Sequence, residues 1–169
     1  MRRIGILLIL RTMTTLDRTD LELLTALSDE PRATVVALAD RLGLSRNTVQ
    51  ARMTRLERGG VFLSFQRSIS STALGFPLEA VVSVGVRQSE LPRIISEIAR
   101  IPEVVQGHGL SGQVDLLIRV ACRDARHLFD TDARILAIEG VERTETSLVM
   151  GEVIPYRLGG LMELARRDA

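Results

Sequence analysis

Leu38-Ala39-Asp40-Arg41-Leu42-Gly43-Leu44-Ser45-Arg46-Asn47-Thr48-Val49 spells out a helix, a turn and a second helix. Ala39 is small enough to let two helices approach closely, and Gly43 supplies the left-handed residue that ends the first of them. Ser45 caps the helix that follows, and Val49 anchors that helix in a core. Each residue is common by itself. At this spacing, between capped helices, the set predicts a helix-turn-helix over about residues 35–54.

The flanks agree. Leu16-Asp17-Arg18-Thr19-Asp20-Leu21 reads as a helix start, with Asp17 as the cap, Asp20 adding first-turn negative charge, and Leu16 and Leu21 as a hydrophobic staple. Leu21, Leu24 and Leu27 line its inner face, and Ser28-Asp29-Glu30-Pro31 stops it. Thr34 caps the next helix. The third runs from Ser45 to about Arg58, where Gly59-Gly60 breaks it. Val61 to Ile69 reads as a short strand or hairpin, and residues 70–77 as a linker.

At 100° per residue, Val49, Met53 and Leu56 form the inner stripe of the third helix. Asn47, Ala51, Thr54, Arg55 and Arg58 lie opposite, Thr48 and Gln50 lie at the edges, and Arg46 and Arg52 flank the core stripe. Asn and Gln pair with adenine edges, and Arg pairs with guanine or phosphate. The expectation is that Asn47, Gln50 and Thr54 meet bases of double-stranded DNA. Ser45, Arg46, Arg52 and Arg55 are expected at phosphates, with Arg55 also a candidate base reader and Thr48 at the margin. Charge distribution agrees: Asp17 to Asp40 holds six acids against two bases, and Ser45 to Ser68 holds five bases against one acid. A solvated face of a packing helix is the competing reading.

Composition removes other classes. All 22 basic residues are arginine, which excludes Schiff-base, P-loop and Ser-Lys chemistry. One cysteine, Cys122, and two histidines, His108 and His127, argue against a disulfide framework and a zinc cluster. Cys122 reads as a core residue of a cytoplasmic protein. His108 reads as surface, and His127, near Asp124 and Asp130, as part of a solvated helix face. Ile4 to Leu10 is too short an apolar run to span a bilayer, so no membrane association is expected. Met13 reads as the natural start, with an arm packing on a partner subunit as the alternative.

Beyond Pro77 the pattern changes. Ala80, Val82, Val84 and Val86 alternate as a strand. A helix is expected from about Glu90 to Arg100, strands over Val104–Leu110 and Val114–Cys122, a helix over about Ala125–Ile138, and a strand over Val141–Met150. Ile98-Ala99-Arg100-Ile101-Pro102-Glu103-Val104 resembles Ile135-Leu136-Ala137-Ile138-Glu139-Gly140-Val141, one at each helix-to-strand junction. Two such halves predict an α+β fold, a ferredoxin-like βαββαβ sheet with helices on one face. The other face calls for a cover, and a second copy of the chain supplies one.

From Leu16 to Tyr156 the chain resembles the Lrp/AsnC, or feast/famine, family of transcriptional regulators. The likeness rests on Leu16-Asp17-Arg18-Thr19-Asp20, on Leu38 to Ser45, and on Thr48-Val49-Gln50-Ala51-Arg52-Met53-Thr54-Arg55-Leu56-Glu57-Arg58-Gly59-Gly60-Val61. The resemblance implies a winged DNA-binding domain and a regulation-of-amino-acid-metabolism domain. It implies homodimers that assemble into tetramers, octamers or larger rings, and an amino-acid-like effector bound between subunits, with no other cofactor. Where the family carries a Gly-Asp-Tyr-Asp-like turn, this chain has Leu110-Ser111-Gly112-Gln113-Val114-Asp115. Gly112 and Asp115 fit the pattern, and Gln113 and Val114 depart from it. Gly112 offers backbone N–H groups for a carboxylate and Asp115 an acceptor for an ammonium, or the pair simply builds a tight turn.

The expected domains are an N-terminal extension (1–15), a DNA-binding domain (16–62), a linker strand or hairpin (63–77), an effector-binding and oligomerisation domain (78–156), and a tail or helix (157–169). Two other readings stay open: an assembly module without DNA binding, and a ferredoxin-like enzyme. No catalytic constellation favours the second.

Overall fold

Asp17 and Asp20 start the first helix by capping each other. The Asp17 side chain accepts the Asp20 N–H at 2.8 Å, and the Asp20 side chain accepts the Asp17 N–H at 3.0 Å. In this computed structural model, which describes residues 15–62 and 69–168, the helix is α1 (Arg18–Asp29). Thr34 caps α2 (Val35–Leu42) through the Ala37 N–H. Gly43 ends α2 at φ 64°, a conformation costly for any side chain with a Cβ. Ser45 Oγ then takes the Thr48 N–H at 3.1 Å to open α3 (Arg46–Arg58).

Leu23, Ala26, Leu38, Ala39, Val49 and Leu56 form the core of this helical unit. Leu23 and Ala26 are fully inside, whereas Leu24 and Leu27 are only partly covered. The inner face of α1 is therefore broader than the expected Leu21-Leu24-Leu27 stripe, because α1 packs against a further helix, α6 (Gly159–Asp168). Arg166 of α6 donates to Thr25 Oγ1 at 2.6 Å. The described part of this unit is thus residues 15–62 with 155–168, and the second unit covers residues 69–154. The expected extension over residues 1–14, and residues 63–68 of the expected strand or hairpin, lie outside the described residues.

The second unit contains β1 (Leu78–Val86), α4 (Leu91–Ile98), β2 (Val104–Gly109), β3 (Leu116–Cys122), α5 (Ala125–Leu136) and β4 (Val141–Leu148). The strand order β2-β3-β1-β4, antiparallel throughout, is the ferredoxin-like sheet. Ala80, Val82, Val84 and Val86 point to one face, as do Leu116, Ile118, Val120 and Cys122, and they pack against Ile94, Ile98, Leu128 and Ile135. Full burial of each such aliphatic side chain contributes about 2 kcal/mol. Strand pairing places Ser83 beside Leu117 and Glu145 on the opposite face, away from the side on which α4 and α5 pack. In place of a featureless linker, Thr72–Leu74 makes one 3-10 turn before β1.

Candidate nucleic-acid interface

Helix α3 is held from below and open above. Val49 and Leu56 are completely buried, and Met53 packs against the same core. Ser45, Arg46, Asn47, Thr48, Gln50 and Ala51 are exposed. The α2–α3 turn sets the depth at which Val49 enters the core, and so decides that Asn47 and Gln50 face outward. Ser45 and Thr48 hydroxyls bond to each other at 2.8 Å, tying Thr48 to the capped first turn. Thr54 is half-buried.

Arg52 and Arg55 are engaged within the protein. Arg52 Nη1 donates to Asp20 Oδ1 at 2.7 Å and to Asp17 Oδ2 at 2.7 Å. Arg55 Nη2 donates to Asp20 Oδ2. The Asp20 side chain is 0% exposed. Burial alone pushes its carboxyl up. Hydrogen bonds from Arg55, the Asp17 N–H and Arg52 overcome that and hold it at about 2. Arg52 is raised in turn, chiefly by its hydrogen bonds to Asp17 and Asp20.

The opposite charge of the two sequence blocks is therefore not wholly an external signal. Asp17 and Asp20 face Arg52 and Arg55, so part of the contrast is spent inside the unit. Among the described residues, Arg46 and Arg58 of α3 make no ion pair. Sequence reading placed Asp20 only as first-turn charge. Its pairing across 32 and 35 residues is a tertiary fact, and the one available signal was an acid at a position the capping box turns inward. Asp17, Asn47, Thr48, Ala51, Arg52 and Arg55 together line an open groove of about 570 Å3 along α3.

In the second unit, the turn Leu110-Ser111-Gly112-Gln113 is exposed, with Gly112 at φ 153°. Val114 and Asp115 are half-buried. Asp115 Oδ2 accepts the Val86 N–H at 2.8 Å, Oδ1 accepts from Gln88 Nε2, and its C=O accepts the Leu110 N–H at 2.9 Å. Asp115 thus braces the turn. His108 is exposed. His127 is not part of a solvated helix face. Its Nδ1 accepts the Arg123 N–H at 3.2 Å, so Nε2–H is the donor to Glu103 Oε1 at 2.7 Å. The His127 backbone N–H bonds the Asp124 cap at 2.8 Å in the first turn of α5, and its side chain is 21% exposed. Burial pushes the Glu103 carboxyl up, and His127, its own N–H and Arg134 bring it down to about 2.

Residues 16–62 match the family described as winged helix-turn-helix DNA-binding, and residues 79–158 the one described as Lrp/AsnC ligand binding domain. The HTH-type transcriptional regulator Rv2324 of Mycobacterium tuberculosis is 32% identical over 84% of this chain and 97% of its own length. The HTH-type transcriptional regulator AldR of Mycolicibacterium smegmatis is 35% identical over 79% of this chain and 81% of its own. A solved structure, transcriptional regulator NMB0573 of Neisseria meningitidis in complex with L-Met, superposes with a TM-score of 0.75 at 26% identity, covering 87% of this chain and 99% of that one.

Proposed function

Because the chain belongs to the Lrp/AsnC family of transcriptional regulators, we propose that α3 reads operator DNA and that the Leu110–Asp115 turn holds an amino-acid effector between subunits. One observation carries the first half: Arg46, Asn47, Thr48, Gln50 and Ala51 stand exposed on a helix fixed in depth by buried Val49 and Leu56. Asn47, Gln50 and Thr54 meet base edges in the major groove, with Thr48 beside them. Ser45, Arg46, Arg52 and Arg55 meet phosphates, Arg55 by whatever part of its guanidinium Asp20 leaves free.

The L-Met complex of the Neisseria protein supports an amino acid as the effector class. Exposed backbone over Leu110, Ser111, Gly112 and Gln113 takes the carboxylate, while Val114 and Asp115 hold the turn in shape. The second subunit is another copy of this chain, covering the open sheet face, and such dimers join into tetramers, octamers or larger rings. Met150 and Val153, each 93% exposed in the single chain, support a protein partner near the end of β4. Among the described residues no helix is long and apolar enough to cross a membrane. We place the protein on DNA in the cytoplasm, acting by binding rather than catalysis and without a cofactor beyond its effector.

The test is binding of the purified protein to its own promoter DNA across a panel of amino acids, with assembly mass followed in parallel. Specific binding that one amino acid shifts by changing affinity or assembly is the expected result. A protein that ignores duplex DNA under all conditions overturns the reading.

A further inference from the structure

We propose that Asp20, on α1, is a positioning residue for DNA recognition: it holds the Arg52 and Arg55 guanidiniums at a set height beside the base-reading residues and offsets their charge. The inference rests on the reading of α3 as the DNA-facing helix and adds a residue outside that helix.

The cluster is more than a glue between α1 and α3. The Asp20 carboxylate is fully buried, yet each oxygen holds a guanidinium that reaches the surface; the Arg52 and Arg55 side chains are 25% and 45% exposed. Each guanidinium commits one terminal nitrogen to the acid, Nη1 of Arg52 and Nη2 of Arg55, and keeps the others. Among the described residues, Nε and Nη2 of Arg52 bond to nothing, and Arg55 makes one further contact, to the Thr15 carbonyl at 3.4 Å. A guanidinium held at one terminal nitrogen samples a narrower range of orientations than that of a free arginine. The same two arginines line one groove with Asn47, Thr48 and Ala51, so the anchored cations and the base-reading side chains share one surface.

Charge follows the same logic. Asp17, Asp20, Arg52 and Arg55 sum to neutrality. The cluster therefore offers phosphates directed N–H donors without adding net attraction for any duplex, and discrimination is left to Asn47, Gln50 and Thr54. Release of one negative charge turns directed donors into mobile cations, which favour all DNA alike.

The experiment compares binding to the protein's own promoter DNA and to random duplex of equal length over a salt series, at a temperature where every variant is folded. Asp20→Asn is expected to tighten binding to random duplex and to steepen the salt dependence by about one ion. The promoter-to-random ratio is expected to fall about ten-fold or more. Equal changes on both duplexes with an unaltered salt slope overturn the proposal and leave Asp20 a stabilising group only. If Asp20→Asn does not fold, Asp20→Glu decides, because it keeps the charge and moves the carboxylate: a lower ratio at unchanged slope is expected, and an unchanged ratio overturns the proposal. A parent protein that binds neither duplex removes the DNA reading itself, an outcome distinct from a parent that discriminates and variants that discriminate equally well.

Discussion

Arg143 donates from Nη2 to the carbonyl oxygen of Gln113 at 2.7 Å, reaching from β4 to the turn between β2 and β3. Its stem crosses Gly85 of β1 so closely that a Cβ there would meet Arg143 Cγ at 2.9 Å. The absent side chain of Gly85 is what gives Arg143 its path. The turn that we assign to the effector is thus held on one side by Asp115 and on the other by Arg143.

Arg143→Met keeps the stem and removes the donor. The amides of residues 110–115 are expected to exchange with solvent faster, while those of β1 and β3 keep their protection; hydrogen exchange reads both. In the promoter assay the amino-acid response should weaken and effector-free DNA binding should not.

Asp20 makes the stability of the helical unit acid-sensitive. Its carboxyl is held at about 2 in the folded protein, so the unfolded chain takes up the proton more readily. The stabilisation is complete above about pH 4 and is lost as pH falls through about 2, a contribution on the order of 2 kcal/mol. Denaturant midpoints measured at about pH 5 and about pH 2.5 should fall less steeply for Asp20→Asn than for the parent.

On α3, Asn47→Ala should relax the choice of base at one position of the operator by about 1–3 kcal/mol. Arg46→Ala should instead weaken all sequences alike and reduce the salt slope by about one. Titrations of single-base operator variants, repeated over a salt series, separate the two effects.

Arg166 gives a prediction of opposite sense. Its Nη2 bonds Thr25 Oγ1, but its Nε is buried without a partner, and the Thr25 hydroxyl already donates to the Leu21 carbonyl at 2.8 Å. An apolar side chain of similar length loses little there. Arg166→Met is expected to change stability by less than about 1 kcal/mol, and Arg166→Ala to cost more because the packing of the stem goes with it. Thermal melts of the two variants check the order.

What the sequence revealed was local. Asp17, Thr34, Gly43 and Ser45 act on backbone groups within a few residues, so their roles could be read from spacing. The alternation of Val82, Val84, Ile118 and Val120 marked the sheet face for the same reason. The ion-pair partners of Asp20 and Glu103 lie on other elements, and no periodicity records them. His127 looked solvated from its acidic neighbours, and only the fold brings Glu103 to it. Strand β3 begins at Leu116 and not Val114, because Asp115 is diverted to brace the turn.

Thr25 and Arg166 lie 141 positions apart and yet share one helical unit. A ribosome releases α1, α2 and α3 well before α6, so a nascent chain carries a recognition helix before the unit that contains it is complete. The effector-binding half is synthesised and freed to fold in that interval. The DNA-binding half is complete only once α6 has followed, and a chain cut short before Gly159 leaves α1 without the helix that packs on it.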